Sequence, residues 1–236
     1  MSTVKFVDVI LRWLFVLVMP LLLLAAAFRI PANSAFFYEY LFNKYQVGTT
    51  TGLDKQALHV TANGLVGYFN SNQEYINLTV TKNGQPFTLF NEREIVHLKD
   101  VKSLFQFDLR VLLATGAFAL VYAVFSIVRG SAARRALAKS ALIGGGLTLA
   151  LMAAMGIGML FDFDSLLLQF HLLSFANDFW ELDPTRDYLI MLITHGFMYD
   201  GAFIVAGATA VGALAVAGAG AGYLLRLRSK EGRARG

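Results

Sequence analysis

The chain has 236 residues, and its charged fraction of 15% lies well below the roughly 25% of soluble domains, which together with 56% hydrophobic residues indicates an integral membrane protein. The formal net charge of +4 is concentrated at a few segment ends without interleaved aromatic residues, so a nucleic-acid-binding function is excluded. The absence of cysteine excludes disulfides, thiolate nucleophiles and sulfur-ligated metals.

The first predicted element is a transmembrane helix within residues 1–28. Residues 13–28 are apolar, and with the amphipathic turn before them they approach the roughly 20 residues that a spanning helix needs. Lys5 and Arg12 predict that the chain begins in the cytoplasm. A cleaved signal peptide is the alternative, because residues 25–27 are alanines that resemble a cleavage site. Both alternatives place the next residues outside the cytoplasm.

Residues 29–105 are mostly polar and predict a small extracytoplasmic α+β domain. Thr51 followed by Asp54 resembles a helix start, and apolar residues then recur at helical spacing, which predicts a helix from about 53 to 70.

A β-hairpin is predicted next in the same domain. The sequence YINLTVT alternates between apolar and polar residues, as expected for a half-buried strand. Lys82-Asn83-Gly84-Gln85 supplies a turn, and a return strand is predicted around residues 87–90.

The segment after Asn91 has a helical pattern and carries the first candidate histidine. Glu94, His97 and Val101 fall on one stripe of this predicted helix. Asp100 lies three residues after His97, so the histidine has a potential carboxylate neighbour on its own helix.

Three further transmembrane helices are predicted from apolar segments, at 109–128, 140–161 and about 197–225. The loop after the second helix and the tail after the fourth are basic, so both are predicted to be cytoplasmic. The fold class is therefore a mainly α, four-transmembrane-helix bundle with a small extracytoplasmic α+β domain. Its predicted parts are the first transmembrane helix (1–28), the α+β domain (29–105), the second and third helices with their basic loop (106–161), an extracytoplasmic acidic loop (162–196), the fourth helix (197–225) and a cytoplasmic tail (226–236).

The acidic loop at residues 162–196 carries the second candidate histidine. His171 is followed by Ser174 and Asp178, one and two helical turns later. No glycine-rich phosphate loop, G-x-S-x-G or H-E-x-x-H sequence is present, so nucleotide-driven, serine-hydrolase and zincin chemistry lack support. Histidine acid/base catalysis remains, and it suits acyl transfer from an ester.

The remaining ionisable residues have more ordinary interpretations. His59 and His195 are expected to be solvated or interfacial. Asp200 lies inside the fourth predicted helix, where a charged group is costly, so it is either functional or turned toward water. A metal site would require residues from both histidine segments, and no ligand spacing demands one. Its candidate ligands are His97, Asp100, His171 and Asp178.

Two segments carry a resemblance to a known family. NEREIVHLKDVKSLF and FHLLSFANDFWELDPTRDYLI resemble the corresponding segments of the lipoprotein intramolecular transacylases of bacterial membranes. The order of the segments and the four-span layout also fit. The sequence departs from the family pattern at Thr194-His195-Gly196, where a proline followed by an acid is expected.

The resemblance implies a reaction, a substrate and a set of site residues. The sn-2 acyl chain of a diacylglyceryl-modified lipoprotein would move to the α-amino group of its own N-terminal cysteine, giving a lyso-form lipoprotein. His97 and His171 would share proton transfer and stabilisation of the tetrahedral intermediate, without assignment of the two roles. No cofactor or metal is implied, the partners are the lipoprotein and membrane lipids, and no oligomeric state is indicated. The supporting or substrate-binding residues would be Glu94, Asp100, Lys102, Asn177, Asp178 and Trp180.

Two other functions remain open on the residues alone. One is a non-catalytic four-span protein that binds an extracytoplasmic partner. The other is a metal-dependent membrane hydrolase. Convergence of His97 and His171 on one site distinguishes the enzyme from the non-catalytic protein.

Overall fold

The computed structural model describes residues 3–233, which are mainly helical with one small antiparallel sheet. Four of the helices are long and apolar enough to cross a membrane, in agreement with the predicted fold class. In chain order the described elements are α1 (Thr3–Ala32), α2 (Ala35–Lys44), α3 (Val47–Thr51), α4 (Lys55–Phe69), β1 (Thr79–Lys82), β2 (Gln85–Thr88), α5 (Glu92–Val128), α6 (Ser131–Ser174), α7 (Tyr188–Leu192) and α8 (His195–Arg233).

The described chain divides into two compact units, and the first contains the apolar parts of the four long helices. Glycine allows α6 and α8 to approach closely in this unit, because a Cβ on Gly145 would lie 2.7 Å from the Ala213 carbonyl oxygen. Gly144 similarly faces Met19 of α1. At the adjacent Gly146, by contrast, an added Cβ would make no such contact within 4 Å, so this glycine does not lie at a helix contact.

The second unit comprises Phe28–Asp108 and Gly158–Ile204 and has its own apolar core. Its hairpin turns through Asn83 (φ 52°) and Gly84 (φ 76°), the left-handed pair that a two-residue hairpin turn requires. The β-hairpin is therefore confirmed, with the return strand starting at Gln85. Fully buried core residues include Leu41, Phe42, Val47, Leu65, Leu89, Leu98 and Leu192.

Helix α4 begins close to the predicted position. Asp54 is its N-cap and accepts a hydrogen bond from the main-chain N–H of Ala57 at 2.8 Å. The helical spacing of the apolar residues places Leu58, Ala62 and Leu65 in the core. Local capping and periodicity therefore account for this helix.

Helix α5 differs from the prediction because the histidine segment and the second transmembrane helix form one continuous helix from Glu92 to Val128. About 20 apolar residues suffice to cross a bilayer. Residues 109–128 supply them, and the polar first part of α5 (92–108) belongs to the second unit.

Helix α6 corrects the prediction of a loop beginning at residue 162. The helix continues to Ser174, with a kink at Asp162 (φ −157°, ψ 78°). Asp162 accepts a hydrogen bond from the main-chain N–H of Ser165 at 3.0 Å, so its carboxylate caps the second part of the helix. Residues 163–174, here called the terminal half-helix, are therefore helical, and His171 lies on a helix. Asp162, which suggests a loop by its acidic composition, is therefore a helix cap.

Helix α8 also extends beyond its predicted limits. It begins at His195 and continues to Arg233, so the first part of the predicted basic tail is helical. Residues 234–236 of that predicted tail lie outside the described part of the chain.

Candidate active site

The first candidate histidine, His97, is buried in the polar first part of α5. Only 7% of the residue is exposed, and its Nδ1 atom has no hydrogen-bond partner among the described residues. The imidazole meets the ring of Phe175 in an edge-to-face contact with 5.0 Å between the ring centroids. Buried polar atoms are normally paired, so an unpaired imidazole nitrogen calls for a functional explanation.

Burial also sets the protonation state of His97. It lowers the pKa of the imidazole to about 4, with a further lowering from His171 that Asp100 partly opposes. The sign follows from the cost of placing a charged imidazolium in an apolar surrounding. His97 is therefore uncharged at neutral pH.

The second candidate histidine, His171, lies on the terminal half-helix. Its Nδ1 is 2.7 Å from the main-chain carbonyl oxygen of Leu167. A carbonyl only accepts hydrogen bonds, so Nδ1 carries the proton in neutral His171 and Nε2 carries a free lone pair. The imidazole also packs against the Trp180 ring in a tilted arrangement, with 4.9 Å between the ring centroids and 35° between the ring planes.

Phe175 joins the two histidines, and the sequence analysis missed it. The ring centroid of this buried phenylalanine is 5.0 Å from His97 and 5.8 Å from His171. Phe175 follows His171 by four residues, which is one helical turn, so helical spacing was the available signal. The two histidines therefore converge on one aromatic ring.

The loop after α6 is held against α5 by polar contacts. The Asn177 side-chain amide donates to the Asp100 carboxylate at 2.9 Å. The Arg93 guanidinium donates to the main-chain carbonyl of Asp178. These contacts position the loop residue Trp180 against His171. Trp180 thus contacts His171, Asn177 contacts Asp100, and Asp178 contributes its main-chain carbonyl, while the supporting roles of these residues stay predictions.

Glu94, a predicted supporting residue of the site, bonds to main-chain groups, and its supporting role stays a prediction. Its carboxylate accepts hydrogen bonds from the main-chain N–H groups of Asn91 at 2.7 Å and Leu189 at 2.6 Å. The Asn91 side chain in turn accepts from the Glu94 N–H, which completes a reciprocal cap at the start of α5. One carboxylate oxygen therefore caps the start of α5, and the other joins α5 to α7.

Lys102 is likewise occupied by structural contacts. Its Nζ donates to the Ser71 hydroxyl at 3.1 Å and to the Gln73 carbonyl at 2.5 Å, and it lies 4.3 Å from the centroid of the Tyr68 ring. A cation beside the last turn of α4 complements the helix dipole. These contacts indicate that Lys102 stabilises the α4 end, and its supporting role at the site stays a prediction.

The other ionisable candidates form separate pairs. His59 contacts Glu39 at 2.8 Å, and His195 contacts Asp164 at 2.6 Å, both on exposed surfaces. Asp200 accepts hydrogen bonds from Lys44 and Tyr45, and these partners stabilise its charged carboxylate. Within residues 3–233 no group of three or more histidine, aspartate or glutamate side chains is arranged to hold a metal ion.

We predict that Glu94→Ala destabilises the protein more than it affects the chemical step. The substitution leaves the Asn91 N–H and the buried Leu189 N–H without acceptors, and an unpaired buried N–H costs about 1–3 kcal/mol. Unfolding of the purified protein in detergent measures this loss, and Glu92→Ala, at an exposed position two residues earlier, is the control. An unchanged unfolding midpoint together with a strongly reduced rate would contradict the structural role.

Comparison with known proteins places this chain in an enzyme family. The family described as lipoprotein intramolecular transacylase Lit matches residues 13–198. The solved structure of membrane-integral Lit from Bacillus cereus is similar, with a TM-score of 0.80 and 18% identity over 97% of this chain and 99% of that chain. A variant of that protein with a histidine replaced by arginine gives a TM-score of 0.78 at 17% identity, over 96% of both chains. No curated protein matches the sequence.

The structural likeness establishes a common fold, and the family match covers most of the chain. The matched residues include both histidine segments, the α+β domain and the start of α8. The match is with membrane-integral acyl-transferring enzymes, which overturns the alternative of a non-catalytic four-span protein. The chain belongs to the lipoprotein intramolecular transacylase family.

Proposed function

We propose that this enzyme moves the sn-2 acyl chain of a diacylglyceryl-modified lipoprotein to the α-amino group of the same lipoprotein's N-terminal cysteine. The observation that carries this proposal is the convergence of His97 and His171 on Phe175. Donor ester and acceptor amine belong to one molecule, so positioning takes the place of a nucleotide or a thiol. The product is a lyso-form lipoprotein with an N-acylated cysteine.

The reaction needs only proton movement beyond the exchange of an ester for an amide. The amine nitrogen forms a bond to the acyl carbon, and the bond from that carbon to the glyceryl oxygen breaks. One proton leaves the amine and one reaches the glyceryl oxygen, so the step balances without a co-reactant. An α-amine has a pKa of about 7.7–8.0, so much of it must first lose a proton at neutral pH.

The tautomer of His171 supports its role as the base. Its Nδ1–H donates to Leu167, so Nε2 is free to accept the amine proton and return it to the leaving glyceryl oxygen. Packing against Trp180 keeps the ring in one orientation. His171 is therefore the proton-transferring residue in this proposal.

The low pKa of His97 supports a role in stabilising the oxyanion of the tetrahedral intermediate. An uncharged, buried imidazole is a poor base at neutral pH, but its N–H donates a hydrogen bond to a developing oxyanion at little reorganisation cost. The unpaired Nδ1 atom is consistent with a site that becomes satisfied when the intermediate forms. Asp100 lies on the same helix, and its charge offsets only part of the lowering of the His97 pKa.

The topology follows from the charges. Basic residues are concentrated at the α5–α6 connection with the first turns of α6 (Arg129, Arg134, Arg135 and Lys139) and at the end of α8, which supports a cytoplasmic position for both regions and for the two termini. Both histidines then lie on the extracytoplasmic face. The lipoprotein substrate and membrane lipids approach from that side.

Mass spectrometry of lipoprotein N-terminal peptides tests the function. Cells lacking and expressing this chain should yield a cysteine whose acyl chain has moved from the glyceryl group to the nitrogen, with total mass unchanged. Fragmentation distinguishes the N-acylated, mono-O-acylated product from the starting diacylglyceryl form. An unchanged peptide from several lipoproteins would reject the proposal.

A further inference from the structure

The terminal half-helix, residues 163–174, turns its apolar side chains outward. Its half-buried face carries Phe163, Leu167, His171 and Ser174, and this face meets the Phe175 and Trp180 rings. A helix in water shows the opposite pattern, with polar residues outside. The exposed apolar side chains are Leu166 at 42%, Leu168 at 45%, Phe170 at 47%, Leu172 at 55% and Leu173 at 86%.

The outward face also lacks the charges that hold a helix at a water boundary. Helices lying among lipid headgroups typically carry lysine and arginine on their polar face. This half-helix has neither, and its outward polar residues are the uncharged Ser165 and Gln169. Its one acid, Asp164, lies in the first turn and pairs with His195 at 2.6 Å.

The backbone at the kink is suited to a water-poor surrounding. The Asp162 carboxylate accepts from the Ser165 N–H, so a main-chain donor freed by the break in the helix has a partner. Leu160 and Phe161, directly before the kink, are 69% and 86% exposed. The apolar surface of the transmembrane part of α6 therefore continues along the chain into the half-helix.

We propose that the terminal half-helix lies within the acyl region of the bilayer leaflet next to the active site, with Leu168, Leu172 and Leu173 in contact with lipid chains. Its consequence for catalysis rests on the proposed function. His171 projects from the opposite side of the same helix, so embedding the helix brings the base to the depth of the glyceryl ester. The substrate then reacts without its acyl chains being withdrawn into water.

Depth measurement in vesicles tests the placement directly. The chain has no cysteine, so Leu173→Cys and Leu168→Cys each carry one nitroxide label. We expect collisions with dissolved oxygen, which concentrates in hydrocarbon, to exceed collisions with a water-soluble nickel chelate at both positions. Asn72→Cys, on an exposed loop, should show the reverse order. Nickel accessibility at residue 173 equal to that at residue 72 would overturn the proposal.

Activity gives an independent readout of the same face. Leu173→Glu places a charge in the lipid and should slow acyl transfer by roughly ten-fold or more, while Leu173→Phe retains activity. Equal activity of the two variants would contradict an embedded face. The depth measurement does not use the substrate. If the labels lie in hydrocarbon but the unlabelled protein transfers no acyl chain, the proposed function is rejected and the placement of the half-helix stands.

Discussion

His171→Gln will slow acyl transfer by about 10²- to 10⁴-fold, the range typical for loss of a general base. Glutamine has no nitrogen lone pair with which to take the amine proton. The substitution removes the imidazole contacts to the Leu167 carbonyl and to the Trp180 ring but no main-chain hydrogen bond, so the fold should persist. The measurement is the single-turnover rate of acyl migration on a diacylglyceryl lipopeptide in vesicles, followed by mass spectrometry.

His59→Gln is the matched control for this variant. His59 is exposed and pairs with Glu39 and Asn63 on another surface of the second unit, so its loss removes an imidazole without touching the site. It should keep the wild-type rate. A His171→Gln enzyme that inserts normally and retains more than half of that rate would remove His171 from the mechanism.

His97→Leu will slow the reaction by about 10²- to 10³-fold, the loss that follows removal of one oxyanion donor. Leucine fills the apolar surroundings next to Phe175 and removes both ring nitrogens. His97→Gln restores an N–H donor, so it should recover part of the rate. Recovery by glutamine separates hydrogen-bond donation from proton transfer, because an amide donates but does not titrate.

The pH dependence of the rate lost in His97→Leu tests the role of His97 in a second way. His97 has a pKa of about 4, so it takes up a proton only near and below that pH. The ratio of wild-type to His97→Leu rates should therefore be constant between pH 6 and pH 8, while both rates rise as the substrate amine deprotonates. A ratio that changes several-fold across this range would mean that His97 itself titrates there and acts as the acid or base.

Local patterns predicted the parts of the fold that local interactions decide. Runs of apolar residues identified the four long helices, since crossing hydrocarbon requires length and hydropathy whatever the neighbours are. Asn83 and Gly84 identified the hairpin, since few residues adopt the left-handed conformation of that turn. Asp54 similarly marked the start of α4 through its own side chain.

Residues with two possible structural roles were harder to interpret. Asp162 and Asp164 resemble a loop by composition, yet one caps the terminal half-helix and the other pairs with His195. Glu94 resembles a catalytic partner by its spacing from His97, yet its carboxylate joins α5 to the start of α7. The choice between such roles depends on chain segments far away in the sequence.

The amino-acid sequence alone predicted four membrane-spanning helices and two histidine segments, and its family resemblance covers both segments. The difference between the two histidines depends on tertiary packing. His97 owes its low pKa to burial against Phe175, and His171 owes its free Nε2 to the bond with Leu167 and its orientation to Trp180. Desolvation is a sum over everything packed around a side chain, and the packing that buries His97 comes from a segment more than seventy residues later in the chain.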